Sequence, residues 1–266
     1  KFRNGGKNMS RVVLVTGGAR GIGRGIAEAF LRAGHIVMIA DLADSGAWNY
    51  NLADRSTMDE AVSQLGNLGD VASVPVDVTD SASCQNAVKE TLGRFGRLDV
   101  LVNNAGVVAS GPISQFEEKD WDRIFDVNVK GIYLMTRAAL KALSDSNDAA
   151  VINTASIGGK KGSAGLSAYC GSKFAAIGIT QSLALEFAPA GIRVNALCPG
   201  IVGTAMWHDH LMAGQGEAQF KEWMTTLIPL GRPQETSDMG DAAVYLATAH
   251  NVTGVALSVA GGMEMN

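Results

Sequence analysis

Paired cysteines are missing from this chain. Cys84, Cys170 and Cys198 stand far apart in its 266 residues, a pattern that opposes a disulfide framework and suits a reducing compartment, the cytoplasm by default. A basic excess is missing too. With 22 Lys+Arg against 26 Asp+Glu, a formal net charge of -4 and a pI near 5.6, no positive field exists to hold a phosphate backbone, so nucleic acid is not an expected partner. Long uncharged apolar runs do not occur, and no membrane span is expected. The opening KFRNGGKN has no apolar signal core; Met9, directly before the first strand-like run, reads as the natural start, with residues 1–8 a remnant ahead of it. The four histidines include no HExxH, and the pair His208 and His210 lacks further ligands at metal spacing, so no metal is expected. Neither a solenoid-length repeat nor a low-complexity linker breaks the chain, and 9–266 reads as one domain.

What is present is a chain that is 47% hydrophobic and 18% charged, enough to bury a large core. Apolar, β-branched runs at Val12–Val15, Ile36–Ala40, Ala72–Val76, Val100–Val102, Ala150–Asn153 and Arg193–Leu197 predict strands covered on both faces. Amphipathic stretches alternate with them: Gly23–Ala33, Ser56–Leu65, Ser81–Gly93, Glu117–Ser144, Ala168–Ala188 and Ser237–Ala247. Strand, helix, strand repeated in this way predicts a doubly wound parallel sheet of the Rossmann type, with helices on both faces. The stretch 203–230 interrupts the rhythm after a strand. Ligands of open α/β sheets lie beyond the strand ends, so this insertion is a candidate substrate lid.

The run Thr16-Gly17-Gly18-Ala19-Arg20-Gly21-Ile22-Gly23 joins the first strand to a helix. Its glycines permit a tight turn and let backbone N–H groups approach a pyrophosphate, although the spacing differs from GxGxxG and a plain β-α turn would also use them. Asp41 ends the next strand, about twenty residues on, where a carboxylate accepts from both ribose hydroxyls and repels a 2′-phosphate. NAD is therefore the expected cofactor over NADP, with Arg20 open to either a pyrophosphate or a 2′-phosphate.

Tyr169 and Lys173 stand at i and i+4 of a predicted helix and so share a face. An ammonium near a phenol favours the phenolate and makes tyrosine a competent general base; read alone, the pair is more often a helix-start tyrosine with a solvated lysine. Ser156 closes a strand at the ligand edge, where its hydroxyl can stabilise charge on a substrate oxygen. Asn128, within a helix-like segment, is placed to divert a backbone hydrogen bond or hold water.

In order and spacing these residues resemble the short-chain dehydrogenase/reductase family, from Val12 to Gly262. Thr16–Gly23 is similar to its TGxxxGxG turn, Asp77-Val78 to its adenine contact and Asn103-Asn104-Ala105-Gly106 to its NNAG segment. Asn128, Ser156, Tyr169 and Lys173 fall where its catalytic tetrad falls, and Pro199-Gly200 and Thr204 where its PG motif and nicotinamide-contacting threonine fall, with Leu42 and Val202 among the implied cofactor contacts. The resemblance implies hydride transfer between a nicotinamide cofactor and a carbinol or carbonyl carbon. Tyr169 would exchange the proton, Lys173 would also hold the nicotinamide ribose, Ser156 would position the oxygen, and Asn128 would hold a water leading to solvent. It also implies a homotetramer in which Glu117–Ser144 and Ala168–Ala188 pack across a two-fold axis.

The segment Cys198–Trp207 and the tail Gly261–Asn266 resemble those of diol and polyol dehydrogenases. Met206 and Trp207 are candidate walls for an alkyl portion of a small alcohol or ketone, or simply lid packing, and Lys160 and Lys161 are candidate partners for an anionic or hydroxylated end or, at least as readily, a solvated charge pair. Two other functions compete: an NADPH-dependent ketone reductase of the 3-oxoacyl-carrier-protein type, and a nucleotide-binding protein without turnover.

Overall fold

A computed structural model describes residues 10–43, 52–204 and 224–265. Seven strands, β1 (Val12–Thr16), β2 (Ile36–Asp41), β3 (Val71–Pro75), β4 (Val100–Asn103), β5 (Ala150–Thr154), β6 (Arg193–Pro199) and β7 (Ala256–Val259), form one sheet. Its order is β3-β2-β1-β4-β5-β6-β7 and every pairing is parallel. Strand order reverses between β1 and β4, so their C-terminal ends open a crevice for a ligand.

The helices are α1 (Gly21–Arg32), α2 (Arg55–Leu65), α3 (Ser81–Phe95), α4 (Glu118–Phe125), α5 (Gly131–Ser144), α6 (Ser167–Phe187) and α7 (Thr236–Thr248). Alternation along each strand explains the two layers they form. Val13, Val15, Val37 and Ile39 meet Ile26 and Phe30 of α1 and Met239 and Leu246 of α7 on one face. Leu14, Met38 and Leu101 meet Val88 of α3 and Met135 of α5 on the other. Covering on both faces is why these strands read as unbroken apolar runs. Asp54 and Asp80 begin α2 and α3 by accepting the backbone N–H of Thr57 at 2.8 Å and of Ser83 at 2.7 Å.

Two elements depart from the sequence reading. The predicted helix Glu117–Ser144 is interrupted at Asp126–Lys130 by a π turn, where the N–H of Gly131 reaches back five residues to the carbonyl of Asp126. The strand β7 was not expected, because Ala256–Val259 is short and half-buried on both faces, a pattern with neither an apolar run nor alternation.

Candidate active site

The first turn after β1 is built by its own backbone and braced from β4. Gly17 has φ +61°, in the left-handed region open to glycine, and a Cβ on Gly23 would lie 2.0 Å from the carbonyl oxygen of Gly17. The buried Thr16 hydroxyl accepts the backbone N–H groups of Asn104 at 2.9 Å and Ala105 at 3.1 Å. The Asn104 amide donates in return to the carbonyls of Thr16 at 3.0 Å and Gly17 at 3.2 Å. Thr16 and Gly23 thus lie behind the turn and shape it, while Gly17, Arg20, Gly21 and Ile22 line the open pocket. Asp41 fastens the same turn to β2: one carboxylate oxygen accepts the N–H of Ala19 and the other that of Leu42, each at 2.9 Å. Burial pushes its carboxyl above the ordinary aspartate value, against the pull of those two N–H groups and of Arg20. Each oxygen keeps a further lone pair for a ligand hydroxyl. Asp77 and Val78 line the wall beyond Asp41. The Asp77 carboxylate is itself engaged by the N–H and hydroxyl of Thr79.

At the other end, the π turn decides where Asn128 points. Its amide oxygen accepts the N–H of Val107 at 2.8 Å, and its amide nitrogen donates to the carbonyl of Val107 at 2.9 Å and to the hydroxyl of Ser172 at 3.0 Å. Ser172 donates to the carbonyl of Tyr169 at 2.7 Å. Asn128 therefore clamps the segment following Asn-Asn-Ala-Gly to the N-terminal part of α6. Neither Val107 nor Ser172 was singled out from sequence; only the serine between Tyr169 and Lys173 on the helix could have hinted at it.

Lys173 is 4% exposed and donates to the Thr154 carbonyl at 2.8 Å, with its nitrogen 5.7 Å from the centre of the Tyr169 ring. Burial brings its ammonium down to about 8. A solvated surface lysine is excluded. The Ser156 hydroxyl accepts the N–H of Gly158 at 3.0 Å. A Cβ on Gly158 would lie 3.4 Å from both that hydroxyl oxygen and the Tyr169 ring, so the residue there is small where serine and tyrosine converge. One pocket runs from Asp41 past Gly21 and Asn104 to Ser156, Tyr169 and Lys173, with Leu42, Ala105, Gly106, Pro199, Gly200, Val202 and Thr204 also lining it. Thr154 lines it too, and its buried hydroxyl has no hydrogen-bond partner among the described residues. The sequence reading passed over this threonine.

Lys160, a candidate substrate partner from sequence, is not among the residues lining this pocket. Its ammonium pairs with Glu264 at 3.3 Å and donates to the Ser258 hydroxyl at 2.8 Å. Lys161 is exposed. Met206, Trp207 and the histidines at 208 and 210 lie outside the described residues, as does most of the expected lid. Among the described residues no three His, Cys, Asp or Glu side chains gather as metal ligands, and no helix is long and apolar enough to cross a membrane.

The fit to a dinucleotide rests on the pocket itself. Its length joins a glycine turn with open backbone, a carboxylate at the next strand end and an unpartnered buried hydroxyl beside an ammonium. A phenol and an ammonium at a switch point already occupied by such a turn define the class, a nucleotide-linked oxidoreductase. A profile described as short chain dehydrogenase matches residues 11–213, and the chain belongs to that family, oxidoreductases that act on alcohols and ketones. It is 38% identical to L-2,3-butanediol dehydrogenase of Corynebacterium glutamicum, covering 97% of this chain and 100% of that one. With sorbitol dehydrogenase of Cereibacter sphaeroides it shares 34%, over 96% of this chain and 98% of the other. A 3-ketoacyl-(acyl-carrier-protein) reductase of Brucella melitensis, solved with NADH, superposes with a TM-score of 0.84 at 32% identity, over 96% and 98% of the two chains.

Proposed function

We propose that the protein is an NAD-dependent dehydrogenase of a small secondary alcohol, diol or polyol, or of the matching ketone, with Tyr169 as its general acid and base. The observation that carries this reading is the convergence of Tyr169, Ser156 and a buried Lys173 at one end of a pocket whose other end holds Asp41. When bound, the nicotinamide ring supplies the hydride acceptor or donor. Asp41 would receive the adenosine ribose hydroxyls and the turn from Gly17 to Ile22 the pyrophosphate, while Val78, Asn104, Ala105 and Gly106 line the adjoining wall. Thr204, Val202 and the Pro199-Gly200 bend face the nicotinamide end. Ser156 donates to the substrate oxygen, and Tyr169 takes the hydroxyl proton in oxidation or returns it in reduction. Lys173 favours the phenolate electrostatically and, with its remaining N–H groups, would hold the nicotinamide ribose. Asn128 holds Val107 and α6 together behind them.

The diol and polyol assignment draws on the named relatives. The competing reading, a ketone reductase acting on an acyl carrier, draws on the Brucella neighbour. That neighbour holds NADH, so cofactor choice alone does not separate the two and substrate must. A panel of diols, polyols, hydroxy acids and simple secondary alcohols with NAD, set beside a 3-oxoacyl thioester with NADH, is followed by NADH absorbance. Oxidation of a diol or polyol is expected; turnover of the thioester alone would replace the reading. On a substrate the parent oxidises, Tyr169→Phe is expected to lower turnover by about 10²–10⁴-fold and to retain NADH binding. Activity within a few-fold of the parent would refute the acid/base assignment.

Asp41 carries the cofactor preference. Asp41→Ala removes the ribose acceptor and the repulsion of a 2′-phosphate together, so affinity for NAD should fall more than affinity for NADP, as read by fluorescence titration. A parent that binds NADP more tightly than NAD would contradict the assignment. The buried free thiols favour a cytoplasmic setting, and the apolar faces left open on α5 and α6 favour a homotetramer.

A further inference from the structure

Behind the Ser156 turn lies a charged pair to which the proposed chemistry gives no part. Ser156 opens a short 3-10 turn, Ile157–Gly159, and Lys160 closes it, its N–H donating to the carbonyl of Ile157 at 3.0 Å. The turn is seated on α6 at Lys173: a Cβ on Gly159 would lie 2.5 Å from the Lys173 carbonyl oxygen. Movement of this turn therefore displaces the serine hydroxyl and presses on the helix that carries the lysine. What holds the turn from behind is the C-terminal tail. The Lys160 and Glu264 side chains, 13% and 10% exposed, pair at 3.3 Å, and the Ser258 hydroxyl of β7 donates to Glu264 while accepting from Lys160.

The same tail grips a second element. The Gly261 carbonyl accepts the N–H of Leu230 at 3.0 Å, and Met263 packs on the cluster of Ile201, Met224 and Ile228. Two residues of the tail thus hold the stretch Met224–Leu230 and the next holds the serine turn. An ion pair so withdrawn from water has lost much of its hydration, and removing either charge disturbs the polar cluster that the pair forms with Ser258.

We propose that Glu264 is a positioning residue: through Lys160 it sets the Ser156 turn against α6, and through its neighbours in the tail it ties that turn to the Met224–Leu230 segment. The catalytic consequence rests on the reading of Ser156 as the group that holds the substrate oxygen; the mechanical link does not.

Hydrogen–deuterium exchange on the intact, ligand-free protein tests the link. Glu264→Gln and Lys160→Met, which keeps the aliphatic stem, are each expected to speed exchange roughly tenfold or more in residues 156–161, and also to speed it in 224–230. Residues 17–23 should be unchanged. The reversed pair, Lys160→Glu with Glu264→Lys, should restore slow exchange. On a substrate the parent oxidises, both single variants should lose about tenfold in kcat, with the NADH Kd within about twofold of the parent. Unchanged exchange at 156–161, or faster exchange spread through 17–23 as well, would overturn the proposal. A parent inactive on every substrate would remove the functional reading alone, and the exchange result would still decide the link.

Discussion

At Lys173 the fold holds a charge where water would have held it more cheaply. The unfolded chain titrates this lysine at 10.5 and the fold at about 8. Between those values the unfolded chain keeps a proton that the fold has released, so stability rises with pH; below about 8 both states carry the charge and the burial penalty is felt in full. Cys84 and Cys198 act in the opposite direction. Burial pushes each thiol from 9.0 to about 11, so above 9 the unfolded chain sheds protons the fold retains. The window from pH 8 to 9 therefore belongs to Lys173. Guanidinium unfolding of the dinucleotide-free protein at pH 7, 8 and 9 should show Lys173→Met removing a rise in stability that the parent has across that window. A stability difference between the two that is independent of pH would contradict the buried-ammonium account. Tyr169 and Lys173 were legible as a pair because helical spacing alone puts them on one face. That the lysine is buried was not legible, since burial comes from β5 and the segment after β4, far away in sequence.

Among the elements, α1 and α7 show how glycine sets an approach distance. A Cβ on Gly25 would lie 2.5 Å from the Thr236 carbonyl oxygen, and one on Gly240 would lie 2.6 Å from the Ala29 side chain. These helices cross with backbone near backbone, and the glycine turn at the start of α1 inherits its position from that crossing. Gly25→Ala is expected to destabilise the protein by about 1–3 kcal/mol through overpacking, and to weaken NADH binding because the helix that carries the turn must shift. Thermal unfolding and NADH titration read the two effects; a melting temperature equal to the parent's would count against the close approach. The first six strands and the helices α2 and α3 were readable from apolar runs and amphipathic stretches, whereas the aspartates that cap those helices emerge only in the structure. The π turn was not readable, because nothing in the composition of Asp126–Lys130 marks a one-residue shift of the ladder, and the Val107 groups that meet Asn128 lie 21 residues earlier in the chain.

For the whole molecule, the exposed apolar side chains of α5 and α6 point to self-association. Tyr133 is 52%, Phe174 48% and Leu185 81% exposed, on the two helices expected to pack across a two-fold axis. Light scattering after size exclusion should give four times the 27.7 kDa chain mass, and Phe174→Asp should lower it by placing a charge where a partner's apolar face would lie. A monomer at micromolar concentration would refute the assembly.

Local chemistry by itself determined the alternation of strand and helix, the glycine turn after β1, Asp41 at the end of β2, and the shared helical face of Tyr169 and Lys173. Each depends on periods of two or 3.6 residues, or on a turn whose geometry few residues permit. Tertiary structure decided the rest: that Thr16 and Gly23 shape the turn from behind, that Asn128 clamps Val107, that Lys173 is withdrawn from water, and that Lys160 answers to Glu264, 104 residues along the chain. Those contacts join residues whose separation follows from sheet order, and strand order is settled by which apolar faces can be covered together, a property no single segment carries.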